Sequence, residues 1–199
     1  GSEMCIRDSV KGMLPDYELV GVYSRTASKA ERIANKMRQH GKMCAACHTL
    51  KELLELKPDY LMESASPAAM KELALPTLEN GTSIITLSIG ALADTSFYEK
   101  VKETAKANDT RVYLVSGAIG GFDVLRTTSL MGNATARFFN EKGPDALKGT
   151  SVYKEELQQE RCIVFSGNAT EAINVFPTKV NVSVAASLAS VGPDNMQVS

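Results

Sequence analysis

Apolar positions along the chain recur in two alternating rhythms. Residues 18–23 (Glu-Leu-Val-Gly-Val-Tyr) form a short β-rich run, and residues 27–40 then carry helical spacing at Ala30, Ile33, Ala34 and Met37. Residues 50–56 are a second helical stretch and residues 60–63 a further strand. Ser66-Pro67 is an N-cap and first-turn pair that opens a helix running to Asn80-Gly81, where glycine stops it. Residues 83–87 predict a strand, 88–91 a loop, 96–107 a helix and 111–115 another strand. Short β-branched strands alternating with helices specify a parallel sheet with crossover helices on its faces. The expected class is α/β: a doubly wound, Rossmann-like sheet whose first βα unit is missing or incomplete.

The pattern changes after Ser116. Gly117-Ala118-Ile119-Gly120-Gly121 reads as a flexible corner, and residues 122–130 as one helix. Residues 134–140 alternate around a Phe138-Phe139 pair, and 162–166 have the composition of another strand. Asn168 with Glu171 three positions on forms a capping box, Phe176-Pro177 interrupts the helix it opens, and residues 182–190 read as a helix of small residues. Such a helix suits close packing on another backbone, inside one subunit or across a dimer interface. This gives residues 10–117 as a partial cofactor-binding domain and 118–199 as a partial α+β substrate or dimerisation domain. Gly1 to Ser9 fits no element, and its Met4-Cys5-Ile6-Arg7-Asp8 reads like translated sequencing-adaptor sequence. It is set aside as an artefact.

Composition narrows the partners. The chain has 199 residues, 44% of them hydrophobic and 23% charged, with a formal net charge of −1. No lysine or arginine cluster points to nucleic acid or an anionic membrane. No apolar run approaches the roughly 20 residues of a membrane span, and no signal peptide is visible. The expectation is a cytoplasmic protein acting on a small molecule.

In a doubly wound sheet the dinucleotide pyrophosphate sits over a G-x-G-x-x-G turn after the first strand. If residues 18–23 are the second strand, that turn belongs upstream of Val10. The Gly120-Gly121 pair lies too late to replace it. The end of the second strand normally carries an acidic residue that binds the ribose 2′-hydroxyl. Here stand Ser24, Arg25 and Thr26. Lacking a carboxylate, the turn does not repel a 2′-phosphate, and Arg25 can pair with that phosphate or stack on the adenine. An ordinary polar turn into a helix is the other reading. Three loops of small residues follow the later strands: Ala65-Ser66-Pro67, Ser88-Ile89-Gly90-Ala91 and Ser116-Gly117-Ala118. They lie where backbone must approach a flat nicotinamide ring, so NAD or NADP is the expected cofactor.

Several strings carry a family resemblance. They are LMESASPAAMKE from Leu61, LSIGALAD from Leu87, SGAIGGFD from Ser116, and FSGNATEAINVFPTKVNVSVAASLASVG from Phe165. In this order they resemble the L-aspartate dehydrogenase family. The resemblance implies oxidation of L-aspartate to iminoaspartate with NAD or NADP, hydrolysis to oxaloacetate and ammonia, and a product that can feed NAD biosynthesis. It implies Ala118 and Asn181 as cofactor-contacting positions, with the Asn181 amide facing the nicotinamide carboxamide. The competing role for Asn181 is an N-cap of the helix that follows. It also implies a catalytic histidine after Ser199, one able to handle a proton near neutral pH. His40 and His48 occupy unrelated positions. A smaller departure is Thr178-Lys179, where the family often has another asparagine. The site residues expected are therefore Ser24, Arg25, Thr26, Ala65, Ser66, Ser88, Ala118 and Asn181, with no catalytic residue or metal ligand among the 199.

Other classes remain open at this point. A homoserine-dehydrogenase-like enzyme, or a relative that only binds nucleotide, shares the cofactor half. Cys44-Ala-Ala-Cys47-His48 has the spacing of c-type haem attachment, and the two cysteines alone suit a redox disulfide. Zinc would need two further ligands. The bland alternative is the end of a strand followed by a helix cap.

Overall fold

The computed structural model describes residues 15–117, 119–177 and 180–199. Residues 1–9, any glycine turn before Val10, Ala118 and Thr178-Lys179 lie outside the described residues.

The first rhythm folds as its spacing requires. β1 (Gly21–Tyr23) pairs in parallel with β2 (Ala45–Cys47), with Gly21 opposite Ala45 and Tyr23 opposite Cys47. The crossover is α1 (Ala27–Gln39), which buries Ala30, Ala34 and Met37 on one face. After β2, Thr49 caps α2 (Leu50–Glu55): its hydroxyl accepts from the Glu52 amide at 3.1 Å, and the Glu52 carboxylate accepts from the His48 amide at 2.9 Å.

β3 (Tyr60–Glu63), β4 (Ser83–Thr86) and β5 (Val112–Leu114) form a second sheet in the order β3-β4-β5. Their connections are α3 (Pro67–Glu79) and α4 (Thr95–Ala107), the crossover helices that parallel neighbours need. The Ser66 hydroxyl accepts from the Ala69 amide at 3.1 Å, so the expected cap of α3 is formed. Met70, Ala74 and Leu78 are fully buried at helical spacing along it. In the order 3-2-1-4-5-6 of a dinucleotide-binding sheet, β2-β1 corresponds to 3-2 and β3-β4-β5 to 4-5-6. Among the described residues no strand pairs with both sheets.

Further along, α5 (Phe122–Leu130) follows the glycine corner. A three-stranded sheet has the order β6-β8-β7, from β6 (Arg137–Phe138), β7 (Gly167–Asn168) and β8 (Gln197–Val198). β8 runs parallel to β6 and antiparallel to β7. The capping box is present: Asn168 Oδ1 accepts from the Glu171 amide at 2.8 Å and the Glu171 carboxylate from the Asn168 amide at 2.9 Å, opening α6 (Ala169–Val175). α7 (Asn181–Leu188) buries Ser183 through Ser187 without interruption. Val184, Ala185 and Ala186 join Ile89, Ala93, Ala172, Phe176, Met196 and Val198 in one apolar cluster.

Two expectations change. Residues 162–166 are not a strand, because on its antiparallel side β8 pairs with Gly167 and Asn168 and not with the residues before them. Phe165 instead meets Phe176 edge-on, with centroids 5.8 Å apart. The segment after β4 is not an open loop either. It is a 3₁₀ turn, Ile89–Ala93, buried at all five positions. It packs on α7, and this close approach is what the small residues of both elements permit.

The chain forms two compact units. Of the described residues, one comprises 15–64, Glu72–Ile85 and Val101–Tyr113; the other comprises Ala65–Lys71, Thr86–Lys100 and those between Leu114 and Ser199. The second unit therefore contains the segments that leave the carboxyl ends of β3, β4 and β5. No described helix is long and apolar enough to cross a membrane.

Candidate functional site

The second unit holds a cavity of about 190 Å³ lined by Leu87, Ile89, Val115, Ser116, Gly117, Asn181 and Val182. Leu87 follows β4 and Val115 follows β5. The cavity thus opens at the carboxyl ends of these strands, where doubly wound sheets receive their ligands. Its walls are mostly apolar, with the Ser116 hydroxyl and the Asn181 amide as the polar side chains. None of the seven lining side chains titrates in the ordinary range. A small, flat, weakly polar ring suits such walls better than a phosphate or a carboxylate does.

Asn181 does more than line the cavity. Its Oδ1 accepts from the Gly90 amide at 2.9 Å, and its Nδ2 donates to the Leu87 carbonyl at 2.9 Å. The N-cap of α7 is Val180, and the Asn181 side chain makes no cap bond. Across from it, Gly90 sits so close that an added Cβ would lie 3.0 Å from both Asn181 Oδ1 and Ile173 Cδ1, and 3.6 Å from Pro67 Cγ. The second unit therefore brings together the Ser66-Pro67 corner, the turn after Ser88, and Asn181. Ser66 is half-buried, Ala65 exposed and Ser88 buried, its amide donating to Thr86 Oγ1 at 2.9 Å. Nearby, Lys71 of α3 donates to Asp94 at 2.7 Å, and Asp94 also accepts from the Phe97 amide at 3.1 Å. The lysine bond and the Phe97 amide hold the Asp94 carboxyl below its ordinary value.

Ser24, Arg25 and Thr26 lie in the first unit, in the turn between β1 and α1. The Thr26 amide donates to Ser24 Oγ at 3.3 Å. Thr26 is the N-cap of α1 but makes no side-chain cap bond, and Arg25 is exposed. The turn therefore presents a guanidinium and a hydroxyl at the N-terminus of α1, groups suited to an anionic oxygen.

The Cys-x-x-Cys-His string has a structural explanation. Cys44 is buried with Ala34 and Met37, whereas Cys47 is buried with Leu53, Leu54 and Leu61. The two thiols thus serve different clusters, and burial raises the pKa of each. His48 is exposed and leads into the Thr49 cap. Nothing presents the two sulfurs and the imidazole to a common ligand, so haem attachment is set aside.

Sequence reasoning placed Ile89, Ser116 and Gly117 in loops at this position but missed Leu87, Val115 and Val182 as cavity walls, and it missed the Asn181 bonds to Leu87 and Gly90. No short-range signal marks them, since the bonded partners lie 94 and 91 residues from Asn181.

Comparison with known proteins agrees with this arrangement. Residues 6–115 match the family model described as "Homoserine dehydrogenase, NAD binding domain", and residues 123–199 match "Aspartate dehydrogenase, C-terminal". The L-aspartate dehydrogenase of Methanocaldococcus jannaschii is 33% identical over 187 residues, covering 92% of this chain and 67% of the relative. That of Acinetobacter baumannii is 36% identical over 146 residues, covering 71% of this chain and 55% of the relative. The crystal structure of aspartate dehydrogenase from Thermotoga maritima superposes with a TM-score of 0.65 at 25% identity, covering 92% of this chain and 77% of that one. The chain spans 55% to 67% of the length of these curated relatives. An NAD-binding half followed directly by a C-terminal half specific to one enzyme leaves a single assignment: the chain belongs to the L-aspartate dehydrogenase family of NAD(P)-dependent oxidoreductases.

Proposed function

We propose that this polypeptide provides the cofactor- and substrate-facing part of an enzyme that oxidises L-aspartate. In that reaction the α-carbon loses a hydride and the amine a proton, giving iminoaspartate; water then releases oxaloacetate and ammonia. The nicotinamide of NAD or NADP supplies the hydride acceptor. The single observation that carries the reading is the apolar cavity at the carboxyl ends of β4 and β5, closed by Asn181 and Val182 from the half of the chain that matches the aspartate dehydrogenase model.

The residues present fit a nicotinamide. Leu87, Ile89, Val115 and Val182 exclude water from a ring, and Gly117, with φ +63°, lets backbone approach it. Ser116 and Asn181 offer polar atoms to a carboxamide. The exposed Ala65 and the half-buried Ser66, with Ser88, flank the same side, while Ser24, Arg25 and Thr26 would receive the adenosine ribose. Arg25 favours tolerance of a 2′-phosphate and hence of NADP. The division at residue 117 between a cofactor half and a substrate half is part of the same proposal, as are a cytoplasmic location and assembly as a homodimer.

No lining side chain of the cavity titrates near neutrality, so proton transfer needs a group outside the cavity lining. Two measurements test the reading. The chain is titrated with NADH and NADPH, and it is assayed for reduction of NAD⁺ or NADP⁺ with L-aspartate and with L-homoserine. Saturable binding of a reduced cofactor is expected; failure to bind either one would overturn the cofactor site. Reduction with L-homoserine but not L-aspartate would overturn the substrate, which matters because the first half matches a homoserine dehydrogenase model.

A further inference from the structure

The turn after β4 starts with two backbone groups that neither the strand nor the 3₁₀ turn pairs. Leu87 offers a carbonyl beyond the end of the sheet, and Gly90 an amide in the first positions of the turn, where no preceding carbonyl is in register. Buried groups of this kind must find partners. One side chain supplies both, because an amide carries an acceptor and a donor fixed in one plane: Asn181 Oδ1 meets the Gly90 amide and Asn181 Nδ2 the Leu87 carbonyl, each at 2.9 Å.

Other uses of an asparagine at this position are weak. Asn181 is the first residue of α7, the N-cap position is Val180, and both polar atoms of the Asn181 amide are engaged with the 87–90 segment rather than with the helix's own amides. Its two bonds hold Leu87 and Ile89, which form one wall of the cavity that Val115, Ser116 and Gly117 face. Gly90 completes the fit, because any side chain there would press on Asn181 Oδ1 and Ile173. One amide hydrogen and one lone pair of Asn181 remain for a ligand.

We propose that Asn181 is a positioning residue, which sets the shape of the 87–90 segment and thereby the wall on which the nicotinamide ring rests. The proposal rests on the cofactor reading above. It separates Asn181 from a simple ligand contact, because it makes the amide orientation and the absence of a Cβ at position 90 two parts of one device. Asn181→Ala removes both bonds. Asn181→Asp keeps the acceptor for Gly90 but places an oxygen against the Leu87 carbonyl. That repulsion ends when the carboxyl is protonated and donates to Leu87. The lining residues, Gly90, Pro67 and Ile173 surround this position, and none of them titrates in the pH range used.

The test combines hydrogen exchange at individual amides with titration by NADPH and NADH, on the 199-residue chain and three variants. In Asn181→Ala the Gly90 amide should exchange about tenfold faster, as expected for loss of one buried hydrogen bond. The Ile84 amide, bonded to Arg111 in the sheet, should be unchanged. NADPH affinity should fall about tenfold in the same variant, on the same estimate. Val184→Ala, which thins the same apolar cluster but leaves both Asn181 bonds in place, should leave NADPH affinity within about twofold; a loss equal to that of Asn181→Ala would show a merely structural role and overturn the proposal. Asn181→Asp should bind NADPH better at pH 5.5 than at pH 8, relative to the unsubstituted chain, and a flat ratio would count against the clamp. Unchanged Gly90 exchange in Asn181→Ala would remove its basis. If Gly90 responds as stated but the unsubstituted chain binds neither nucleotide, the clamp stands, the cofactor reading fails, and with it the positioning role.

Discussion

Arg25 is the one cation in the turn between β1 and α1, and it stands in solvent beside a threonine whose hydroxyl caps nothing. A charge so placed contributes little to folding, since among the described residues no buried partner depends on it. Its effect should appear in cofactor choice. Arg25→Ala is expected to weaken NADPH binding about tenfold, the scale of one lost charge-assisted hydrogen bond, with NADH within about twofold. Equal losses for both nucleotides would show that Arg25 stacks on the adenine instead. The cysteines give a second residue-scale expectation. Burial raises the Cys44 and Cys47 thiols and so suppresses the reactive thiolate, whereas Cys162 is exposed. In a chain carrying Cys5→Ser, a thiol-specific dye should label Cys162 in the folded state and reach Cys44 and Cys47 only on unfolding. Rapid labelling of the pair under native conditions would revive the redox reading.

At the scale of elements, the packing of α7 on the Ile89–Ala93 turn leaves no room for larger residues. Ala186 is 1% exposed. Ala186→Leu should destabilise by about 1–3 kcal/mol, the usual cost of overpacking, and a thermal melt that does not move would mean the contact is loose. The Lys71–Asp94 bond ties the start of α3 to the start of α4. Asp94 is held below the ordinary 3.8, so its contribution is present in full above that value and is lost as pH falls through the lowered one. Both side chains are over 40% exposed, which screens the pair to about 0.2–1 kcal/mol. Asp94→Asn should therefore lower Tm slightly at pH 7 and not at pH 2; a difference that persists in acid would assign the effect to packing.

These elements also show what the sequence could and could not disclose. Helices α1, α3, α4 and α5 follow from local spacing, and the caps at Ser66 and Asn168 from residues three positions apart. The burial of the turn after β4 does not, because its cover is a helix some 90 residues later. Residues 162–166 read as a strand on composition alone. Pairing, which depends on where β8 runs, begins only at Gly167. For the same reason Asn181 could be identified by motif while its bonding to Leu87 and Gly90 stayed hidden.

For the whole molecule, the division into two units matters more than the order of the chain. The segments leaving β3, β4 and β5 belong with the C-terminal part, so the cavity lined by Leu87, Ile89, Val115 and Asn181 is built within one unit, and the Ser24-Arg25-Thr26 turn lies in the other. The central claim is that this cavity holds the nicotinamide ring. Methyl NMR during titration with NADPH tests it most directly, even if affinity is weak. The account predicts saturable shifts at Ile89, Val115 and Val182, while methyls of the first unit's inner cluster, such as Leu53 and Leu54, stay in place. Saturable shifts that bypass these three residues, or none at all, would contradict it.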